Sequence, residues 1–159
     1  MSARQTEYGE LLEWAYSGEL FGAAVFTYLL GTDTFPEHRG DLELLLDLEV
    51  HTRDRLAPLA GERVPDAERQ ATRTRAAEFA LDLRTLDWPR FMTETQSLAQ
   101  DALPLLERLV ELAPPETKPL LTGVVAHERA LISFARCALA GDDIGARRAV
   151  TDHLASPVI

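Results

Sequence analysis

The segment of residues 42–59, with the sequence LELLLDLEVHTRDRLAPL, constrains the fold of this chain more than any other. If it forms an α-helix, at about 100° per residue, its apolar residues gather on one side. These residues are Leu42, Leu45, Leu46, Leu56 and Leu59. Glu49 falls in the middle of this side, whereas His51 points roughly the opposite way. Because burying an unpaired carboxylate costs several kcal/mol or forces it to protonate, an inward Glu49 must be paired, neutral or a ligand.

Helical periodicity extends through most of the chain, and no segment alternates as a half-buried strand does. The sequence therefore predicts an all-α fold, with helices over residues 6–30, 36–60, 65–86, 87–113, 116–140 and 144–154. Four of these helices are long, and the second and third long ones are joined by the longest link. This order predicts a four-helix bundle with one crossover, which contains an extra peripheral helix at 65–86. A short C-terminal helix follows the bundle.

The length and charge of the chain limit its organisation and its partners. Its 159 residues predict one domain, residues 1–159, with a core over 6–141 and a tail at 142–159. The formal net charge of −10 argues against nucleic acid or an anionic membrane, since both select Lys and Arg surfaces. The longest apolar run, residues 20–30, is too short to span a bilayer, and no signal peptide is visible. We therefore expect a cytoplasmic protein, and this run is compatible with burial in a homodimer.

Three other helices also carry a glutamate on or near the apolar side. Glu128 lies at the centre of the apolar side of the fifth predicted helix, and Glu19 does so in the first. In the fourth helix Glu94 lies only at the edge of the apolar side, and Thr95 is closer to its middle. The pattern thus predicts three inward carboxylates and a marginal fourth.

Converging carboxylates in a bundle suggest a metal site. Four of them carry a charge of about −4, which two divalent ions neutralise, and oxygen ligands suit iron, manganese or magnesium better than zinc or copper. A dinuclear site of this kind can activate dioxygen beside an apolar pocket. The alternative is an ordinary bundle in which the glutamates tilt toward solvent or pair locally. Arg53 lies four residues after Glu49 and is placed for such a pair.

At these residues the chain resembles the ferritin-like superfamily, in its small rubrerythrin-like and di-iron-carboxylate branch. The matching segments are Ser17-Gly18-Glu19-Leu20, Leu46-Asp47-Leu48-Glu49, Thr93-Glu94-Thr95, Ala126-His127-Glu128-Arg129-Ala130-Leu131 and Ala140-Gly141-Asp142. Glu19 and Glu49 are 30 residues apart, and Glu94 and Glu128 are 34 apart, which is similar to the paired-helix layout of the family. The resemblance implies a dinuclear iron or manganese centre with Glu19, Glu49, Glu94 and Glu128 as metal ligands.

The histidines depart from the pattern of this family. The family places a histidine three residues after the glutamate in two helices, but Thr52 and Leu131 stand at those positions here. His51 follows Glu49 by two residues and is predicted to be a surface residue. His127 precedes Glu128 and lies on the flank of the apolar side. We interpret it as a core histidine, a group that orients a ligand, or a displaced ligand. The centre is therefore either an all-oxygen site or a site that has lost its metal.

The leading functional hypothesis is a small di-metal-carboxylate oxidoreductase or oxygenase that acts on an apolar or aromatic small molecule. Glu49, Glu128 and His127 would be its catalytic residues. No Gly-rich phosphate loop, nucleophile elbow or HExxH motif is present. The predicted cofactor is dinuclear iron or manganese, or none, and no other cofactor-binding residues are predicted. The competing hypothesis is a metal-free bundle. It would bind a small molecule or a partner protein, or use a buried glutamate of raised pKa as an acid or base.

Overall fold

The computed structural model describes residues 1–156 and contains six α-helices over that range. They are α1 (Ala3–Gly31), α2 (Arg39–Ala60), α3 (Asp66–Leu83), α4 (Trp88–Leu112), α5 (Lys118–Leu139) and α6 (Asp143–Ala155). Residues 1–156 contain no strand, so the predicted all-α class is confirmed. The predicted helix ends differ from these by three residues or fewer. The end of the predicted tail, residues 157–159, lies outside the described residues.

Side chains at the helix ends explain where several helices begin and stop. Ser2 forms a capping box with Gln5 at the start of α1, and the carboxylate of Asp87 accepts from the backbone N–H of Arg90 at the start of α4. Asp142 caps α6 in the same way. Gly141, between α5 and α6, has a φ of 75°, a left-handed conformation that favours glycine.

The four long helices pack side by side in a closed ring. Helix α1 packs against α2 and α4, and α5 packs against α4 and α2. The short links from α1 to α2 and from α4 to α5 make each of these pairs a helical hairpin. Helix α3 lies in the longer connection between the two hairpins and packs against α1, while α6 packs against α5 and α2. The bundle is thus two hairpins, each covered by one shorter helix.

Helix α3 accounts for the apolar character of the second half of α1. Phe79 of α3 contacts Phe21 of α1, with ring centroids 5.4 Å apart, and Ala76 and Ala80 are buried. The run at residues 20–30 therefore has a partner on its outer side within the same chain. The homodimer stays a prediction, but the apolar residues at 20–30 no longer indicate it.

The core consists of two apolar clusters with polar residues between them. One cluster includes Leu29, Leu45, Leu48, Met92 and Phe134, and the other includes Leu12, Leu56, Leu109 and Leu121. Along α1, α2 and α5, the change from one cluster to the other occurs next to buried Glu19, Glu49 and Glu128. The three glutamates therefore lie at one depth, near the middle of the bundle. No helix within residues 1–156 is long and apolar enough to cross a membrane.

We expect Leu45→Ala to lower the free energy of unfolding by about 2–5 kcal/mol, because it leaves a cavity in the core. Leu105→Ala removes an exposed leucine from α4 and should change the free energy by about 0.5 kcal/mol or less. Urea denaturation of both variants measures the difference. Equal effects would contradict the assignment of the core.

Candidate metal centre

The imidazole of His127 lies at the meeting point of three glutamate side chains. Its Nε2 atom is 3.5 Å from Oε2 of Glu19, 3.6 Å from Oε1 of Glu49 and 3.8 Å from Oε2 of Glu128. Helix α1 supplies Glu19, α2 supplies Glu49, and α5 supplies both His127 and Glu128. His127 is only 1% exposed, and all three glutamates are buried. We call these four residues the carboxylate–histidine cluster.

Thr52 determines which ring nitrogen of His127 faces the carboxyl groups. Its hydroxyl oxygen is 2.7 Å from Nδ1 of His127. In the tautomer whose Nδ1–H donates to this hydroxyl, Nε2 carries a lone pair directed at the three glutamates. Metal-binding histidines are oriented in this manner, by a hydrogen bond on the nitrogen that does not bind the metal. Thr52 follows Glu49 by three residues, so both side chains project from the same face of α2.

No Lys or Arg side chain within the described residues balances the three glutamates. Within residues 1–156, their ion-pair contacts are those with His127, and no Lys or Arg approaches them. Arg53, which was placed for a local pair with Glu49, pairs instead with Asp54 at 2.8 Å. Oε2 of Glu19 is buried and has no hydrogen-bond partner. An unpartnered buried oxygen is costly, so a proton or a metal ion on this carboxyl group would stabilise it.

Burial changes the pKa of every member of the cluster. Burial, together with the charges of Glu49 and Glu128, raises the pKa of Glu19 well above its usual value. Burial raises the pKa of Glu49 to about 8, with a further contribution from Glu128, and raises the pKa of Glu128 to about 7. Burial also lowers the pKa of His127 to about 3. The metal-free cluster therefore holds protons on its carboxyl groups at neutral pH, and a bound metal would displace them.

Gly22 makes room for the carboxyl group of Glu49. A Cβ atom at position 22 would overlap this carboxyl group, so no larger residue fits without moving it. Gly22 lies one turn after Glu19 on the same face of α1. The absence of a side chain there lets α1 and α2 approach closely enough to bring Glu19 and Glu49 together.

The structure does not bring Glu94 to the cluster. Glu94 is exposed, and the next residue, Thr95, is the buried polar group of α4. Each step along a helix turns the side chain by about 100°, so a residue at the edge of the apolar side readily faces solvent. The hydroxyl of Thr95 donates to the backbone carbonyl of Phe91 at 2.9 Å. The expected set of four carboxylates is therefore a set of three with His127.

Two further histidines lie near His127. The ring of His153, from α6, is 6.3 Å from that of His127 and 6.2 Å from that of His51. His51 is half-buried rather than fully on the surface. His153 was not predicted as a site residue, because its position follows from the packing of α6 against α2 and α5, which periodicity does not show.

An apolar cavity of about 320 Å³ adjoins the cluster. The carboxyl-bearing residues Glu19, Glu49 and Glu128 form part of its wall, together with Thr95. The rest of the lining is apolar and comes mainly from α1 and α4, with Phe79 from α3 and Leu131 from α5. A cavity of this size and character is typical of sites for small organic molecules.

Comparisons with protein-family models, with curated proteins and with solved structures give no match to this chain. The function must therefore be inferred from the cluster and its cavity.

We expect the metal-free protein to lose stability as the pH rises from about 4.5, the ordinary pKa of a glutamate, to about 8, the raised pKa of Glu49. The carboxyl groups are neutral when buried but ionised in the unfolded chain, so unfolding releases protons and higher pH favours it. The loss should be on the order of 1 kcal/mol per pH unit for each titrating carboxyl group. Glu49→Gln, which cannot ionise, should make this dependence shallower by the contribution of one carboxyl group, as measured by urea denaturation in the presence of a chelator.

Glu94→Gln is the matched control, because it removes an exposed carboxyl group outside the cluster. It should keep the pH dependence of the unmodified protein. A Glu49→Gln protein that loses stability as steeply as the control would mean that Glu49 is already ionised in the folded state.

Proposed function

We propose that this protein is a ferritin-like metal–carboxylate oxidoreductase that acts on a small apolar or aromatic molecule in the adjoining cavity. The observation that carries the proposal is the convergence of Glu19, Glu49 and Glu128 on Nε2 of His127, with no Lys or Arg counterion in residues 1–156. Three buried carboxyl groups at one point are expensive unless protons or a metal ion neutralise them. Their position on the wall of an apolar cavity supports a chemical role rather than a purely structural one.

The donor atoms of the cluster suit iron or manganese. One ligand atom each from Glu19, His127 and Glu128 lies within 4.8 Å of the others, and Glu49 adds a further carboxyl group. Carboxylate oxygens with one imidazole nitrogen are ligands that both metals accept. Such a metal would supply redox chemistry and coordination positions for dioxygen. The protein would hold the carboxylates in place, orient His127 through Thr52, and provide a largely apolar site for the substrate.

The resemblance to the ferritin-like superfamily supports the same proposal with one change. Two helical hairpins joined by a longer connection, with glutamates on α1, α2 and α5, are compatible with that family. His127 would serve in place of the histidines that are missing at positions 52 and 131. Since Glu94 is exposed, a second ion of a dinuclear centre would have to share the carboxylates of the three remaining glutamates. The number of metal ions per chain is thus the central measurement.

A metal-free acid–base function is the second candidate. It is favoured by the pKa values of Glu128 and Glu49, which burial raises to about 7 and about 8. A carboxyl group with a pKa near the working pH transfers protons efficiently. In this case the neutral cluster would exchange a proton with a molecule in the cavity. This function requires no metal, so metal content separates the two candidates.

We expect protein expressed with iron and manganese, and purified without a chelator, to contain one or two metal ions per chain by elemental analysis. Two ions would indicate a dinuclear centre, and one would indicate that the donor set supports a single ion. Glu128→Gln should lose at least half of the bound metal, because it replaces an anionic ligand with a neutral amide. Glu94→Gln should retain all of it.

A folded protein without bound metal would contradict the proposed oxidoreductase and favour the acid–base function. Circular dichroism of each variant shows whether a loss of metal reflects unfolding. Loss of metal in Glu94→Gln would mean that the exposed carboxylate moves inward when metal binds.

We also expect Thr52→Val to weaken metal binding by about 10- to 100-fold, because His127 loses the partner that orients its ring. Competition with a chromogenic chelator measures the affinity. Thr95→Val is the control, since Thr95 is also a buried threonine but bonds to the Phe91 carbonyl. Equal affinities in the two variants would mean that Thr52 does not orient a metal-binding His127.

A further inference from the structure

The cavity opens to solvent between α1 and α4. Three of its lining residues are exposed: Trp14 and Gly18 on α1, and Leu98 on α4. Trp14 is 39% exposed and Leu98 is 47% exposed, so two apolar side chains flank the opening. A Cβ atom added to Gly18 would meet no other atom within 4 Å. Gly18 therefore leaves a gap in the α1 side of the opening, which a larger side chain would fill.

The lining of the cavity selects against negative charge. Its polar groups are three glutamates, one threonine and the indole N–H of Trp14, and no Lys, Arg or His of residues 1–156 lines it. The hydroxyl of Thr95 already donates its hydrogen to the Phe91 carbonyl. An anionic ligand would therefore leave water, find only the indole N–H of Trp14 as a free donor at the opening, and face three carboxylates whose charge exceeds that of one divalent ion.

The size and the walls of the cavity favour an aromatic ligand. Phe21, Phe26, Phe79 and Phe91 line it, and edge or offset contacts between aromatic rings are favourable. An engineered apolar cavity of about 150 Å³ in another protein holds benzene. The present cavity of about 320 Å³ is roughly twice as large, which matches two fused rings.

We propose that the substrate is an uncharged aromatic molecule of about two fused rings, which enters between α1 and α4 past Gly18. This inference rests on the proposed function, because a bound metal would occupy the carboxylates that would otherwise attract a cation. It goes further by specifying the charge, the size and the route of entry of the substrate.

Isothermal titration calorimetry of the metal-loaded protein tests the charge selectivity with three probes of similar size. These are naphthalene, which is uncharged, 1-naphthoate, which is anionic, and 1-naphthylmethylamine, which is cationic at neutral pH. Naphthalene should bind at least tenfold more tightly than either charged probe. Preferential binding of 1-naphthoate or of 1-naphthylmethylamine would overturn the proposed charge selectivity.

Gly18→Leu tests the route of entry. It should slow the association of naphthalene at least tenfold in stopped-flow fluorescence, with unchanged metal content. Gly40→Leu is the matched control, since Gly40 is also an exposed glycine within a helix whose added Cβ atom would meet nothing. If Gly18→Leu fails to fold, Ala102→Leu narrows the cavity from α4. An unchanged association rate in a folded Gly18→Leu or Ala102→Leu protein would overturn the route.

Elemental analysis of the same samples separates this inference from the proposed function. Bound metal without binding of naphthalene would overturn the substrate assignment and leave the oxidoreductase standing. Binding of naphthalene that Gly18→Leu slows, in a protein without metal, would overturn the oxidoreductase and keep the cavity as an aromatic binding site.

Discussion

One electrostatic constraint underlies the site: three carboxyl groups surround the imidazole of His127 in the apolar middle of the bundle. Charges of the same sign repel strongly where water is scarce, so the three groups cannot all be ionised without a counterion. No Lys or Arg within residues 1–156 provides one. The cluster must therefore hold protons or a metal ion, and its surroundings are consistent with either state. Thr52 orients His127, and Gly22 leaves space for Glu49.

The unfavourable free energy of burying three glutamates indicates that they have a functional role. Replacing buried polar groups by well-packed apolar ones is often neutral or stabilising, so a bundle of this size has no structural need for three buried glutamates. The polar residues lie between two apolar clusters, which supply the packing on either side. The three buried glutamates thus form a locally unfavourable polar layer in the bundle, and such layers are common at functional sites.

The cavity and the cluster depend on the same small residues. Gly22 on α1 leaves space for the Glu49 carboxyl group and also lines the cavity. Gly18 lies one turn earlier, at the opening. On α4, Ala99 and Ala102 line the same space. Because these positions carry little or no side chain, α1 and α4 leave a gap between them. Larger residues there would convert the site into ordinary core.

Periodicity along the chain was sufficient to predict the helices, the all-α class and the inward positions of Glu19, Glu49 and Glu128. These features depend on side chains a few residues apart, and a helix has a regular geometry that sequence spacing reproduces. Only the tertiary structure showed four further features. Thr95 rather than Glu94 faces inward on α4, and Thr52 bonds to His127. His153 lies near His127, and a cavity adjoins the cluster. Each of these depends on how far a helix is rotated and how closely it approaches its neighbours. Those quantities are set by packing between residues that are distant in sequence, which no local pattern records.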